Sequence, residues 1–182
     1  MKRDDLSDAQ LVKRFKSGDP GAFDAIVLRF QDRVFRLASV WLYDEQSAAD
    51  VTQEVFVRGF RGLRKFRFRS APFTWLYRVT RNVCNEFNRS KGSEALIDEP
   101  PDTSSMPDRQ VAALDSARRV RDLVARLPGR QREVVMLRIF EDLSVKETAS
   151  AMGCREGTVK ALLHKATNGL RISMNQSGFG ND

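Results

Sequence analysis

Apolar side chains at Phe23, Ile26, Val27, Phe30, Val34, Leu37, Ala38 and Trp41 recur at three- and four-residue steps without a break. A strand would need strict alternation, so this stripe can be buried only as one face of an α-helix. The same period governs nearly all of the chain. Ser7-Asp8-Ala9-Gln10 resembles a capping box, followed by Leu11, Val12 and Phe15, with Gly18 as the stop. Asp19-Pro20 opens the stripe helix, with the proline in a tolerated first-turn position. A third helix is expected from about Gln46 to Leu63, carrying Ala48, Val51, Val55 and Phe56. A fourth starts near Thr74 and carries Leu76, Val79, Val83 and Phe87. Lys65 to Pro72 has no apolar period and ends in proline, which predicts a loop.

A second helical unit follows further on. It carries Val111, Leu114, Val120, Val124 and Leu127, breaks at Pro128-Gly129, and resumes with Val134, Val135, Leu137 and Ile139. Two short helices to about Met174 complete it, before a tail expected to fray. No segment has a strand pattern, so the expected fold class is all-α.

Residues 91–108 separate the two units. They contain three prolines, little apolar content and five acidic groups, Glu94, Asp98, Glu99, Asp102 and Asp108. Such a segment cannot bury enough apolar surface to order itself and reads as a flexible linker. The expected organisation is a helical domain over residues 1–90, an acidic linker over 91–108 and a second helical domain over 109–182.

Charge is distributed unevenly. Between Arg58 and Arg81 lie eight Arg and Lys, six aromatic rings and no Asp or Glu. The cations suit a phosphate backbone, and the rings (Phe60, Phe66, Phe68, Phe73, Trp75 and Tyr77) suit unpaired bases. Duplex bases are already stacked on each other, so the combination points to strand-separated nucleic acid. Some of these rings must instead pack the core, because Leu76, Val79 and Val83 need partners, and Phe60 or Phe73 can supply them.

Residues 145–164, VKETASAMGCREGTVKALLH, fit a helix-turn-helix. Ala149 is small where two helices would cross. Gly153 suits a turn that needs positive φ, and Val159 and Leu162 have the spacing that buries a second helix. The outward positions of that helix are Arg155, Glu156, Thr158, Lys160, Ala161, His164 and Lys165. Its first turn, with Thr158, can meet phosphate. Arg155, Glu156 and Lys160 are candidate base-edge readers. His164 is either a phosphate contact or a solvated side chain. A packed helical hairpin is the competing reading.

Other functions find little support. Two cysteines and one histidine make neither a disulfide framework nor a Cys/His zinc site. Cys84 and Cys154 read as structural. No P-loop, metal-ligand cluster or nucleophile–histidine arrangement is visible, so neither an enzyme nor a cofactor is expected. No long apolar run suggests membrane insertion, and the N-terminus lacks an apolar signal region. The expected location is the cytoplasm.

In order, the chain carries Asp50-Val51-Thr52-Gln53-Glu54-Val55-Phe56, Phe73-Thr74-Trp75-Leu76-Tyr77-Arg78-Val79, Leu127-Pro128 with Arg132-Glu133-Val134-Val135, and Glu156-Gly157-Thr158-Val159-Lys160. Over about residues 7–173 this resembles the extracytoplasmic-function (ECF) sigma factors of bacterial RNA polymerase. The resemblance implies a first domain that binds the clamp helices of the polymerase largest subunit and opens the −10 element. It implies a second domain that binds the flap and reads the −35 element as duplex, and control by an anti-sigma protein.

On that resemblance, Asp50, Gln53 and Glu54 share a helical face that can pair with a partner's arginines. The loop Lys65–Pro72 would capture a flipped base, through Lys65, Phe66, Arg67, Phe68 and Arg69. Trp75, Tyr77, Arg78, Arg81 and Asn82 would contribute from the next helix. Arg155, Glu156, Thr158, Lys160, His164 and Lys165 would face the −35 duplex. The acidic linker would either mimic nascent RNA in a basic channel or serve as a solvated spacer.

Two departures stand out. Related chains commonly have Phe-Arg-Gly and then an acid in the loop, whereas this one has Phe66-Arg67-Phe68-Arg69. Ala161-Leu162 replaces the frequent Ser-Arg after the Val-Lys pair. A regulator that binds duplex DNA through the helix-turn-helix alone remains the alternative, and the ring-rich block argues against it.

Overall fold

The computed structural model describes residues 6–42, 44–90, 120 and 122–176, and every regular element among them is helical. The chain divides into two compact units between residues 94 and 95. The acidic linker, together with Val111 and Leu114, lies outside the described residues.

In the first unit, α1 (Asp8–Lys16) opens with the expected capping box. The Ser7 hydroxyl accepts from the Gln10 N–H, and the Gln10 side chain accepts from the Ser7 N–H at 2.8 Å. Gly18 follows the helix at φ +89°, a conformation that glycine adopts without strain. Pro20 falls in the turn rather than in the next helix. That turn is closed by Asp19, whose side chain accepts from the Gly21 N–H at 3.1 Å, and α2 runs from Ala22 to Leu42. α3 (Glu45–Arg64) is capped by Asp44, which accepts from the Ser47 N–H at 3.0 Å. α4 (Pro72–Ser90) begins on proline, at a first-turn position where the missing N–H costs nothing.

These four helices bury one core: Leu11, Val12 and Phe15 of α1, Ile26, Phe30, Val34 and Leu37 of α2, Val51, Val55 and Leu63 of α3, and Phe73, Leu76, Tyr77 and Val83 of α4. Removing this much apolar surface from water is what holds short helices together.

In the second unit, a helical stretch at 122–125 precedes α5 (Gly129–Val135). A π turn then spans Met136–Phe140, with the Glu141 N–H reaching back to the Met136 carbonyl at 3.0 Å. This wider turn breaks the three- and four-residue step. Ile139, expected with the apolar face, is 59% exposed instead, and Glu141 is buried. α6 (Val145–Met152) has a capping box between Ser144 and Glu147 and ends on Gly153 at φ +64°. α7 runs from Glu156 to Gln176, so the last helix is long rather than short.

Candidate nucleic-acid interface

The loop between α3 and α4 is held from both sides. The Lys65 and Phe66 N–H groups donate back to the Gly62 and Leu63 carbonyls at 3.0 and 3.1 Å. From α1, Lys16 Nζ donates to the Phe66 carbonyl at 2.7 Å. The rings of Phe68, Phe66 and Trp75 form a series, with centroids 5.0 Å apart for the first pair and 5.7 Å for the second. Such tilted and edge-on pairs are favourable geometries for aromatic rings. Trp75 closes against α3 at Gly62, where an added Cβ would lie 2.6 Å from the indole. A side chain there would force the indole to shift, so glycine is what lets the ring approach this closely.

The structure separates the candidate side chains. Lys65, Arg67, Phe68, Arg69 and Asn82 are exposed, and Trp75, Arg78 and Arg81 are half-buried. Two rings expected at the bases are placed otherwise. Tyr77 is fully buried and packs against Trp41 at 5.7 Å, so it offers no face to a base. Phe66 is 5% exposed and backs the loop from inside. Phe73 is a core ring stacked on Phe30 at 5.7 Å. Phe60 remains partly exposed but packs edge-on to Phe15 and Phe23.

Phe68 has φ +54°. That is the left-handed region, which costs a non-glycine residue about 1–2 kcal/mol. The loop thus makes a glycine-like turn although residue 68 is phenylalanine. Lys13 and Lys16, absent from the sequence motifs, lie with Nζ over the Phe68 ring, 5.9 and 5.5 Å from its centroid.

On α3, Asp50 and Gln53 are exposed and Glu54 is half-buried. Gln46 donates to Asp50 at 3.3 Å. Arg58 bridges Glu54 and Glu86, at 2.6 and 2.7 Å, and these bonds hold its guanidinium pKa above the ordinary value, that to Glu54 most. A partner's arginine would have to displace this exposed bridge, which such pairs allow at a cost of about 0–1 kcal/mol. Gln53 also lines an apolar groove of about 690 Å³ between α2 and α3, with Phe23, Val27, Phe56, Val57 and Phe60.

In the second unit, α6, Gly153 and α7 form the helix-turn-helix. Ala149 and Val159 are buried and Leu162 is half-buried. Arg155, Glu156, Thr158, Lys160, His164 and Lys165 are all exposed on α7 or the turn before it. His164 pairs with Asn168 of its own helix at 3.0 Å. Cys84 is buried, which pushes its thiol up to about 12 and leaves it unreactive, and Cys154 is half-buried. Among the described residues, no His, Cys, Asp and Glu group could hold a metal ion, and no helix is long and apolar enough to cross a membrane.

A ring-and-cation loop followed by a helix-turn-helix is the layout of a promoter-recognition subunit. Residues 26–94 match the family Sigma-70 region 2, and residues 117–167 match Sigma-70, region 4. Over 177 residues the chain is 32% identical to the RNA polymerase sigma-H factor of Pseudomonas aeruginosa, covering 87% of this chain and 89% of that one. It is 30% identical over 174 residues to the ECF RNA polymerase sigma-E factor of Escherichia coli K12, covering 88% and 91%. The fold resembles that of CnrH, solved in complex with the cytosolic domain of CnrY, with TM-score 0.72 and 24% identity over 93% of this chain and 97% of that one. The chain belongs to the ECF sigma factors of bacterial RNA polymerase. A duplex-only regulator is not favoured.

Proposed function

We propose that this protein, as an ECF sigma factor, joins core RNA polymerase, places it on a promoter and holds the −10 region open. The observation that supports this most is the loop Lys65–Ala71, whose Lys65, Arg67, Phe68 and Arg69 are exposed beside half-buried Trp75. Unpairing a base costs a few kcal/mol, and stacking offsets about 1–3 kcal/mol per base. Such a site needs help from a polymerase already bound nearby.

The α3 face of Asp50, Gln53 and Glu54, with its adjoining groove, would take the clamp helices of the polymerase largest subunit. The second unit would meet the flap and set Arg155, Glu156, Thr158, Lys160, His164 and Lys165 against the −35 duplex. The −10 contacts would come from Lys65, Arg67, Phe68, Arg69, Trp75, Arg78, Arg81 and Asn82. The sigma factor would supply no catalytic group and work in the cytoplasm, where the polymerase is. Control by an anti-sigma factor that covers the polymerase-binding faces is part of the same reading.

The test is reconstitution. Purified protein added to core polymerase should support run-off transcription from a subset of a random promoter library. A protein that does not bind core, or binds it without yielding any transcript, would overturn the reading.

A further inference from the structure

Arg58 joins the helix proposed for polymerase to the helix proposed for DNA. It lies four residues after Glu54 on α3 and reaches across to Glu86 on α4. Its Nε donates to Glu54 at 2.6 Å, and its Nη1 donates to Glu86 at 2.7 Å. Different nitrogens serve the two carboxylates, so one contact can break while the other holds. The side chains of Arg58, Glu54 and Glu86 are 41, 45 and 49% exposed, which leaves each charge open to a competitor from outside. Glu86 stands on a different helix from Asp50, Gln53 and Glu54. It continues the α4 stripe of Trp75, Arg78 and Asn82 at steps of three and four. α3 and α4 pack closely at Gly59 and Gly62, where added Cβ atoms would lie 3.7 Å from Leu76 and 2.6 Å from Trp75. The packed helix pair therefore carries the Glu86 carboxylate within reach of Arg58.

We propose that Glu86 is a positioning residue for polymerase docking: it holds Arg58 aside when a polymerase cation takes Glu54. This role rests on the reading of Asp50, Gln53 and Glu54 as the docking face and adds a residue outside that face. In the isolated protein Arg58 already occupies Glu54. An incoming cation must displace Nε, and a guanidinium without a second partner would then stand unpaired beside a like charge. With Glu86 present, Arg58 keeps one carboxylate at 2.7 Å and its charge stays neutralised. Surrendering Glu54 therefore costs less than it would in an isolated pair.

The test measures the affinity of the full chain for core polymerase in a double-mutant cycle. Glu86→Gln should weaken core binding about two- to fivefold, the range of a solvent-exposed ion pair. Arg58→Gln removes the competitor and should tighten binding by a similar factor. In the Arg58→Gln background, Glu86→Gln should change nothing, because no guanidinium is left to hold. Both side chains are exposed, so neither change should disturb the folding of the first unit. Glu54→Gln is the control for the face itself and should weaken core binding more than Glu86→Gln does.

Equal weakening by Glu86→Gln in both backgrounds would assign its effect to through-space charge and overturn the role. Weaker binding of Arg58→Gln, or unchanged binding of Glu86→Gln, would overturn it too. In each case a loss with Glu54→Gln leaves the docking face and the sigma-factor reading intact. If Glu54→Gln binds core as wild type does, the docking assignment and the role of Glu86 fall together. Wild-type protein that does not bind core would remove the sigma-factor reading as well.

Discussion

Replacing Gly62 by alanine tests how Trp75 is held. A Cβ there would sit 2.6 Å from Cζ2 and 2.7 Å from Cη2 of the indole. Carbon atoms pack at about 3.5–4.0 Å, so the ring must retreat by about 1 Å. Two terms then oppose each other. Glycine to alanine inside α3 should gain about 1 kcal/mol from helix propensity. Over-packing should cost about 1–3 kcal/mol. The net expectation runs from neutral to about 2 kcal/mol destabilising. The ring displacement should be visible directly. The chain has two tryptophans, so a Trp41→Phe background leaves Trp75 as the sole indole emitter. Gly62→Ala in that background should shift emission to the red and reduce promoter opening more than the stability loss explains. A variant stabilised by the full helix term, with unchanged emission, would refute the packing of Trp75 on Gly62.

Other outcomes follow from the same structure. Ser144→Ala should cost the second unit about 1 kcal/mol by urea unfolding, since it removes the capping box. The Ser144 hydroxyl, then its N–H, holds the Glu147 carboxyl below its ordinary value. That stabilisation should be complete above about pH 4.3 and be lost as pH falls through the depressed folded value. Wild type minus Ser144→Ala stability, measured against pH, should show this loss. Asp142→Gly should stabilise by up to about 1 kcal/mol in thermal unfolding, because Asp142 sits at φ +49°. Lys160→Ala should weaken binding to duplex −35 DNA and lower its salt slope by about one, whereas a change in melting alone would contradict the assignment.

Local signals carried most of the fold. Ser7 with Gln10, Gly18 and Gly153 each marked a boundary through its own chemistry. What the chain did not reveal depends on distant neighbours. Tyr77 and Trp75 stand two residues apart on α4, and nothing local says which ring is core. Trp41 claims the first, and Gly62 makes room for the second. Ile139 follows the apolar step in the sequence, but a π turn has no simple sequence period and carries it to the surface. The left-handed Phe68 was equally hidden, since phenylalanine rarely adopts that backbone. Lys13 and Lys16 look like any solvated helix face until the loop folds against them. The length of α7 escaped because its apolar pattern weakens beyond the helix-turn-helix.

The central claim is that the loop and Trp75 act in strand opening rather than in duplex binding. Permanganate reactivity of promoter thymines, read beside a nuclease footprint, measures the two separately. Holoenzyme with Trp75→Ala should keep its footprint on the closed promoter and lose most of the thymine reactivity. Equal losses in both would contradict the account.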